Sequence, residues 1–205
     1  MKFYYSTATS STIVHIALAE AGLPFTPVEI SWQRNLNVDL LDKVNPLGAV
    51  PVLEIEPGKV ITQNAAILAY IGELKPSLYA PAGSFERAKI NQWLAFAASD
   101  FQKAAVQIFI SDQITSNESA QKDIDHFYTE NVKSLLSYID QSLQGKQFIA
   151  SDHFTVADAY LFSVINACKF VNIGYSELEN LSAYMGRLFE RPAIQKVLKE
   201  EGFLD

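Results

Sequence analysis

The sequence predicts an α/β domain of short mixed elements followed by an all-α domain of long helices. Seven of the eight prolines lie within the first 81 residues, and the rest of the 205-residue chain contains only Pro192. Because proline interrupts helices and marks turns, the first part should hold short elements and the second part long helices. The stretch 75–84 carries two prolines and a glycine and is the predicted linker, so the predicted domains are 1–78 and 85–205.

The first part alternates short strands and helices. The helix after the first strand should end at Gly22, which tolerates the left-handed conformation of a helix cap. Pro57-Gly58 fits the two central positions of a type II turn, so the last two strands should form an antiparallel hairpin. The order β-α-β-(α)-β-β-α, with an optional helix in the ill-defined stretch before the third strand, predicts a small mixed sheet covered by helices. The predicted elements are strands at 2–6, 26–31, 52–55 and 59–62, and helices at 12–21 and 64–73.

The second part has helical periodicity almost throughout, which predicts a helical bundle. Thr155-Val-Ala-Asp158 has the form of a capping box, in which the two side chains bond each other's backbone N–H groups. Asp158 is therefore interpreted as a folding residue. The predicted helices span 86–113, 120–143, 156–171 and 178–190, with a last short helix after Pro192.

The composition excludes several classes of protein. Hydrophobic residues make up 49% of the chain and charged residues 19%, with 13 Phe, 9 Tyr and 2 Trp, which is too apolar for a disordered protein. The net charge of −7 repels phosphate, so no nucleic-acid partner is expected. The sequence shows neither a signal peptide nor an apolar window of about 18 residues, so no membrane partner and a cytoplasmic location are expected.

Cysteine and histidine usage limits the sulfur and metal chemistry. Cys168 is the only cysteine, which excludes an intramolecular disulfide, a Cys-x-x-Cys pair and multi-cysteine metal sites. A thiol-disulfide oxidoreductase is disfavoured for the same reason. Because His15, His126 and His153 are scattered along the chain, no metal site is predicted.

Two polar turns of the first part are candidates for a binding site. The turn 6–12 presents hydroxyls and backbone N–H groups at a helix N-terminus, where an anion or a thiolate is stabilised. Gln63-Asn64 opens the next predicted helix and suits a carboxylate in the same way. In both turns the alternative is that the polar side chains only cap the helix.

A third candidate segment is Asn45-Pro-Leu-Gly-Ala-Val-Pro-Val52. An X-Pro bond adopts cis at low cost, and a cis Pro51 leading into a strand would present the main chain of Val50 to a peptide ligand. The alternative is an ordinary trans proline at the first residue of an edge strand. The three segments would converge if the sheet is arranged as in thioredoxin-like folds.

Several motifs together carry a resemblance over essentially the whole chain. They are Met1-Lys-Phe-Tyr-Tyr, His15-Ile-Ala-Leu followed by Glu20-Ala-Gly, Asn45-Pro-Leu-Gly-Ala-Val-Pro, Ala65-Ala-Ile-Leu-Ala-Tyr70, Leu78-Tyr-Ala-Pro-Ala-Gly-Ser84, Phe154-Thr-Val-Ala-Asp-Ala-Tyr-Leu-Phe162 and Glu190-Arg-Pro192. With them the chain resembles a bacterial glutathione transferase, most similar to the beta class. The resemblance implies a thioredoxin-like domain with a mixed four-stranded sheet, an all-helical domain and a homodimer. It also implies a detoxification enzyme that uses glutathione as cosubstrate and conjugates its thiolate to small hydrophobic electrophiles.

Carried over residue by residue, the resemblance implies three groups of site residues. The catalytic candidates beside the thiol are Tyr5, Ser10 and Ser11. The glutathione-binding candidates are Arg34, Val50, Pro51, Gln63 and Asn64. The candidates for the hydrophobic substrate site are Phe101, Ile108 and Phe109, for which the alternative is the core of the bundle.

Four positions depart from the family pattern. Ser10 stands where the beta class has a cysteine that forms a mixed disulfide with glutathione. Gln63 stands where an acid meets the α-ammonium group of glutathione, and losing that charge-assisted bond typically costs about 1.5 to 3 kcal/mol. Ala95 and Gln102 replace an expected Asn and His. Weak glutathione binding is therefore expected, and the alternative function is a catalytically weakened, transferase-like binding or interaction module.

Overall fold

The computed structural model describes residues 1–204, which form two compact units. The first unit consists of Met1–Ala82 together with the segment from Phe189 onward, and the second unit is Gly83–Leu188. Across the described residues, no helix is both long enough and apolar enough to cross a membrane.

A four-stranded mixed sheet forms the centre of the first unit, which confirms the predicted α/β architecture. Its strands are β1 (Lys2–Tyr5), β2 (Thr26–Glu29), β3 (Val52–Glu56) and β4 (Lys59–Thr62). The strand order is β2-β1-β3-β4, with β1 and β2 parallel and the two other pairs antiparallel. Gly58, at φ +77°, makes the turn of the predicted β3–β4 hairpin, where a residue without a side chain is favoured.

Three helices alternate with these strands: α1 (Thr12–Ala21), α2 (Val38–Val44) and α3 (Asn64–Leu74). The predicted helices at 12–21 and 64–73 are α1 and α3, whereas α2 lies in a stretch without clear periodicity. The N–H of Gly22, in the left-handed conformation, bonds the last carbonyls of α1 and ends that helix as predicted. A short 3₁₀ turn at Pro76–Leu78 follows α3.

Strand register brings four loops to one end of the sheet. Tyr4 pairs with Val52, and Val52 pairs with Thr62. The end of β1, the start of β3 and the end of β4 therefore lie side by side. Because Tyr5 pairs with Glu29 of the parallel neighbour, β2 ends there too. The loops that converge are the turn 6–11, the Val50–Pro51 step, the start of α3 and the segment after β2.

The second unit is all helical, as predicted. The predicted single helix at 86–113 is divided, because a π-helical turn at Ala97–Phe101 interrupts it and Ile110 has non-helical φ and ψ of −118° and 14°. The apolar periodicity continues through both breaks and so does not reveal them. The helices of the second unit are α4 (Phe85–Phe96), α5 (Gln102–Phe109), α6 (Ser111–Ile114), α7 (Glu118–Ser142), α8 (Val156–Ala167) and α9 (Glu179–Phe189), with a 3₁₀ turn at Cys168–Val171.

The capping box predicted at the start of α8 is present. The N–H and the hydroxyl of Thr155 donate to Asp158 Oδ2 at 2.8 and 3.0 Å. Asp158 is fully buried, and its Oδ1 accepts the Ile149 N–H at 3.0 Å and the Tyr184 hydroxyl at 2.8 Å. Burial raises the pKa of this carboxyl, while these hydrogen bonds oppose the rise. Asp158 thus joins three segments of the second unit.

The last helix, α10 (Pro192–Glu200), belongs to the first unit and packs on α1. Just before it, Arg191 donates to both carboxylate oxygens of Glu20, at 2.6 Å from Nε and 2.8 Å from a terminal nitrogen. The sequence-based division grouped 85–205 in the helical domain, whereas the chain returns to the first unit after Leu188. The predicted division into functional domains at 1–78 and 85–205 stays a prediction.

Candidate active site

The hydroxyl of Ser11 closes the turn after β1. Ser11 is fully buried, and its Oγ accepts the Ser6 N–H at 3.1 Å and donates to the Ser6 carbonyl at 2.8 Å. The Thr9 hydroxyl lies 2.8 Å from the same Oγ. Because these bonds engage Ser11 inside the turn, the geometry favours a loop-shaping role for this catalytic candidate.

Ser10 presents the free hydroxyl of the same turn. Its side chain is half-buried, and within residues 1–204 no other group bonds its hydroxyl. The adjacent helix α1 has neither a side-chain cap nor an acidic residue in its first turn. The positive end of the α1 dipole favours an anion beside Ser10, and the Glu201 carboxylate, which accepts the Thr12 hydroxyl, offsets part of this effect.

Tyr5 ends β1 next to this turn. Its ring stacks on Phe3 with a centroid distance of 5.5 Å and packs against His15 at 5.6 Å. Burial raises the pKa of the Tyr5 phenol, and nearby carboxylates, with Glu29 the largest, raise this pKa further. Tyr5 is therefore a neutral phenol at physiological pH, which can donate a hydrogen bond to a thiolate.

A largely buried polar cluster joins the end of α10 to the beginning of α1. His15 is 4% exposed, with Nδ1 2.8 Å from Glu201 Oε1 and Nε2 3.2 Å from Glu200 Oε2. The Thr12 hydroxyl donates to Glu201 Oε2 at 2.6 Å. The sequence pattern does not reveal Glu201, because 186 residues separate it from His15. These contacts stabilise the N-terminal end of α1. The Ser10 turn leads directly into this helix, so its position depends on α1.

The Val50–Pro51 step leads into β3 at the same end of the sheet, and its peptide bond is cis. Asn45 shapes the preceding loop, since its Nδ2 donates to the Ala49 carbonyl at 2.6 Å and its Oδ1 accepts the Leu47 N–H at 3.2 Å. No backbone group of the described residues pairs with the main chain of Val50. Its N–H and C=O are therefore available to a peptide-like ligand.

An unpartnered polar side chain lies at the start of α3. Asn64 is 7% exposed, and its Oδ1 has no hydrogen-bond partner among residues 1–204. The exposed Gln63 before it has φ 71° and ψ 122°, which is strained for a residue with a side chain. A ligand carboxylate would meet the N-terminus of α3 here, and a ligand ammonium group would satisfy the Asn64 oxygen.

Arg34 lies in the segment after β2. It forms an ion pair with Glu29, and its Nε donates to Ser31 Oγ at 3.3 Å. The Arg34 side chain is 61% exposed, and exposed pairs contribute little to stability. The guanidinium can therefore exchange Glu29 for a ligand carboxylate at small cost.

The candidates for the hydrophobic substrate site lie in the second unit and differ in burial. Phe101 is fully buried in the π-helical turn, which favours the alternative of the bundle core for this residue. Ile108 is half-buried and Phe109 is 42% exposed on α5. Gln102 accepts the Tyr160 hydroxyl at 2.6 Å, an interaction that the sequence pattern does not indicate.

Two domain families match the chain. The glutathione S-transferase N-terminal domain matches residues 2–73, and the glutathione S-transferase C-terminal domain matches residues 99–201.

Curated relatives and solved structures extend this match to nearly the full length. Glutathione S-transferase GstA of Escherichia coli O157:H7 is 32% identical over 206 residues, covering 98% of this chain and 99% of that protein. A sphingomonad glutathione S-transferase complexed with glutathione is 33% identical with a TM-score of 0.88, and a beta-class enzyme of Sphingomonas chungbukensis is 36% identical with a TM-score of 0.87. Each covers 100% of both chains. The resemblance to bacterial, beta-class transferases is thereby confirmed, and the chain belongs to the glutathione S-transferase family.

Proposed function

We propose that this protein is an enzyme that adds the thiolate of glutathione to small hydrophobic electrophiles. The observation that carries the proposal is the convergence at one sheet end of the Ser10 hydroxyl, the unpaired Val50 main chain and the unpartnered Asn64 oxygen. These groups suit a thiol, a peptide main chain and an ammonium group. Glutathione carries all three, and the sphingomonad relative was solved as a complex with it.

Ser10 and Tyr5 stabilise the thiolate in this proposal. A free cysteine thiol has a pKa of about 8.5, so it is mostly protonated at neutral pH. Hydrogen bonds from the Ser10 hydroxyl and the neutral Tyr5 phenol, together with the dipole of α1, favour the anion and lower the pKa of the bound thiol. The thiol proton passes to solvent, the sulfur forms a bond to the electrophilic carbon, and with a chlorinated nitroarene chloride leaves with the bonding electrons.

The rest of glutathione is held by the neighbouring loops. The main chain of Val50, next to Pro51, pairs with the cysteinyl residue of the ligand. The start of α3, at Gln63 and Asn64, takes the γ-glutamyl end, and Arg34 takes the glycine carboxylate. Asn64 supplies a neutral acceptor to the α-ammonium group, so the affinity is expected to be lower than with an acid but not lost.

Conjugation of a chlorinated nitroarene and calorimetry with reduced glutathione test the proposal. Ser10→Ala should lower the rate at saturating glutathione. It should also raise the pH midpoint of the rate, which is the pH at which the conjugation rate reaches half of its maximum. Asn64→Ala should weaken glutathione binding without moving that midpoint. Ser116→Ala, at an exposed serine of the second unit, is the matched control and should change neither.

The same measurements separate the two candidate functions. Glutathione binding without turnover would favour a binding module, for which the departure at Ser10 is the motivating observation. A protein that neither binds glutathione nor turns over the electrophile would overturn the proposal.

We further propose that the enzyme is a cytoplasmic homodimer, as the resemblance implies. Light scattering should give twice the 22.8 kDa of one chain, and cell fractionation should recover the protein with cytoplasmic markers. The mass of a single chain at micromolar concentration would contradict the dimer.

A further inference from the structure

We propose that Glu86, Asp152 and His153 form a binding site for one divalent transition-metal ion. One carboxylate oxygen of each acid and Nδ1 of His153 lie within 4.8 Å of one another. All three residues belong to the second unit, whereas the proposed glutathione-binding residues belong to the first. The site therefore shares no residue with the proposed thiol chemistry, which needs no metal.

The spacing of the three ligand atoms suits a metal ion. His153 Nδ1 lies 2.8 Å from Asp152 Oδ1 and 4.0 Å from Glu86 Oε1. Metal–ligand bonds of about 2.1 Å place neighbouring ligand atoms roughly 3 to 3.5 Å apart. This expected separation lies between the two distances from His153 Nδ1, so small side-chain movements would bring the ligand atoms to it. One imidazole nitrogen with two carboxylate oxygens favours ions such as Zn²⁺, Co²⁺ or Ni²⁺ over Mg²⁺ and Ca²⁺, which prefer oxygen ligands alone.

The Ser151 hydroxyl contacts all three ligand side chains. Its Oγ lies 2.9 Å from His153 Nδ1, 3.3 Å from Asp152 Oδ1 and within hydrogen-bond distance of Glu86 Oε1. A hydroxyl has a single proton and can donate to only one of these atoms at a time. A cation among them would replace these competing hydrogen bonds, and because the side chains of Asp152 and His153 are 96% and 48% exposed, the hydroxyl or water can complete its coordination.

The backbone holds the ligands at two helix starts. Glu86 lies in the first turn of α4, which is capped by Ser84 Oγ accepting the Arg87 N–H at 3.1 Å. Asp152 and His153 directly precede the capping box of α8. A bound metal would therefore tie α4 to the segment before α8 and raise the stability of the second unit. Counting cysteines and histidines in the sequence does not reveal this site, because two of its three ligands are carboxylates.

Calorimetry of the untagged full-length protein with ZnCl₂, without glutathione, tests the proposal. One ion per chain is expected to bind, and His153→Ala should weaken binding at least about tenfold. Glu86→Gln and Asp152→Asn should also weaken it. His126→Ala removes an exposed histidine of α7 outside the cluster and should leave binding unchanged.

Thermal unfolding provides a second measurement on the same variants. Zinc should raise the unfolding temperature of the wild type and of His126→Ala but not of His153→Ala, because only a ligand that binds the folded state stabilises it. The conjugation rate of His153→Ala should match the wild type. No binding at millimolar ZnCl₂, or binding that His153→Ala leaves unchanged, would overturn the proposal.

Discussion

The protonation state of Tyr5 decides what this residue can contribute. Because burial and carboxylates raise its pKa, the phenol stays protonated below the raised value and loses its proton only above it. We expect Tyr5→Phe to lower kcat/KM about 5- to 10-fold, corresponding to one hydrogen bond of about 1 to 1.4 kcal/mol, and to raise the pH midpoint of the rate. Tyr138→Phe, at an exposed position of α7, is the control. Unchanged rates and midpoint in Tyr5→Phe would remove this residue from the thiol site.

Asp158 has more contacts than its local motif predicts. Loss of a cap alone costs about 1 kcal/mol. In the structure, Asp158→Ala would also leave the buried Ile149 N–H and Tyr184 hydroxyl without their acceptor, at about 1 to 3 kcal/mol each. We therefore expect urea denaturation to show a loss of about 3 to 7 kcal/mol in the free energy of unfolding. The control Asp123→Ala, at an exposed position of α7, should change this energy by less than about 0.5 kcal/mol. A loss near 1 kcal/mol for Asp158→Ala would mean that only the cap matters.

At the scale of elements, Glu201, which directly follows α10, links the end of that helix to α1. Its side chain is fully buried and accepts from Thr12 and contacts His15. Glu201→Ala should lower the free energy of unfolding by about 2 to 4 kcal/mol, because two buried polar groups lose their partner. Since the Ser10 turn depends on α1, the conjugation rate should fall as well.

Glu200→Ala provides the matched comparison for Glu201. Glu200 contacts the other nitrogen of His15 but is 47% exposed, so water can replace its carboxylate. We expect a loss of at most about 1 kcal/mol in the same urea experiment. Equal losses for the two variants would contradict the special role of Glu201.

For the whole molecule, the single cysteine limits thiol chemistry to a bound ligand. Burial raises the pKa of Cys168 to about 12, so its thiolate is scarce at neutral pH. We expect no reaction of the native protein with Ellman's reagent at pH 8, and one thiol per chain after unfolding in guanidinium. Mass spectrometry should find no added glutathione after incubation with its disulfide. A mixed disulfide on the native protein would contradict this prediction.

Local features of the sequence predicted most secondary-structure elements. Gly22 ends α1, Gly58 turns the hairpin and Thr155 caps α8, because each of these effects acts over a few residues. The π-helical turn at Ala97–Phe101 was not predicted, since the apolar pattern continues through it. The short helix α2 was predicted only as an optional element without bounds, because its stretch has no clear period.

The sequence by itself determined the two-part architecture, the glutathione transferase family and the loops that form the candidate site. Proline placement, periodicity and contiguous motifs carry that information along the chain. Only the tertiary structure decided that Ser11 is engaged, that Ser10 and the Asn64 oxygen have no partner among the described residues, and that Glu201 returns to His15. These properties depend on burial and on bonds between residues distant in sequence, which exist only once the chain has packed.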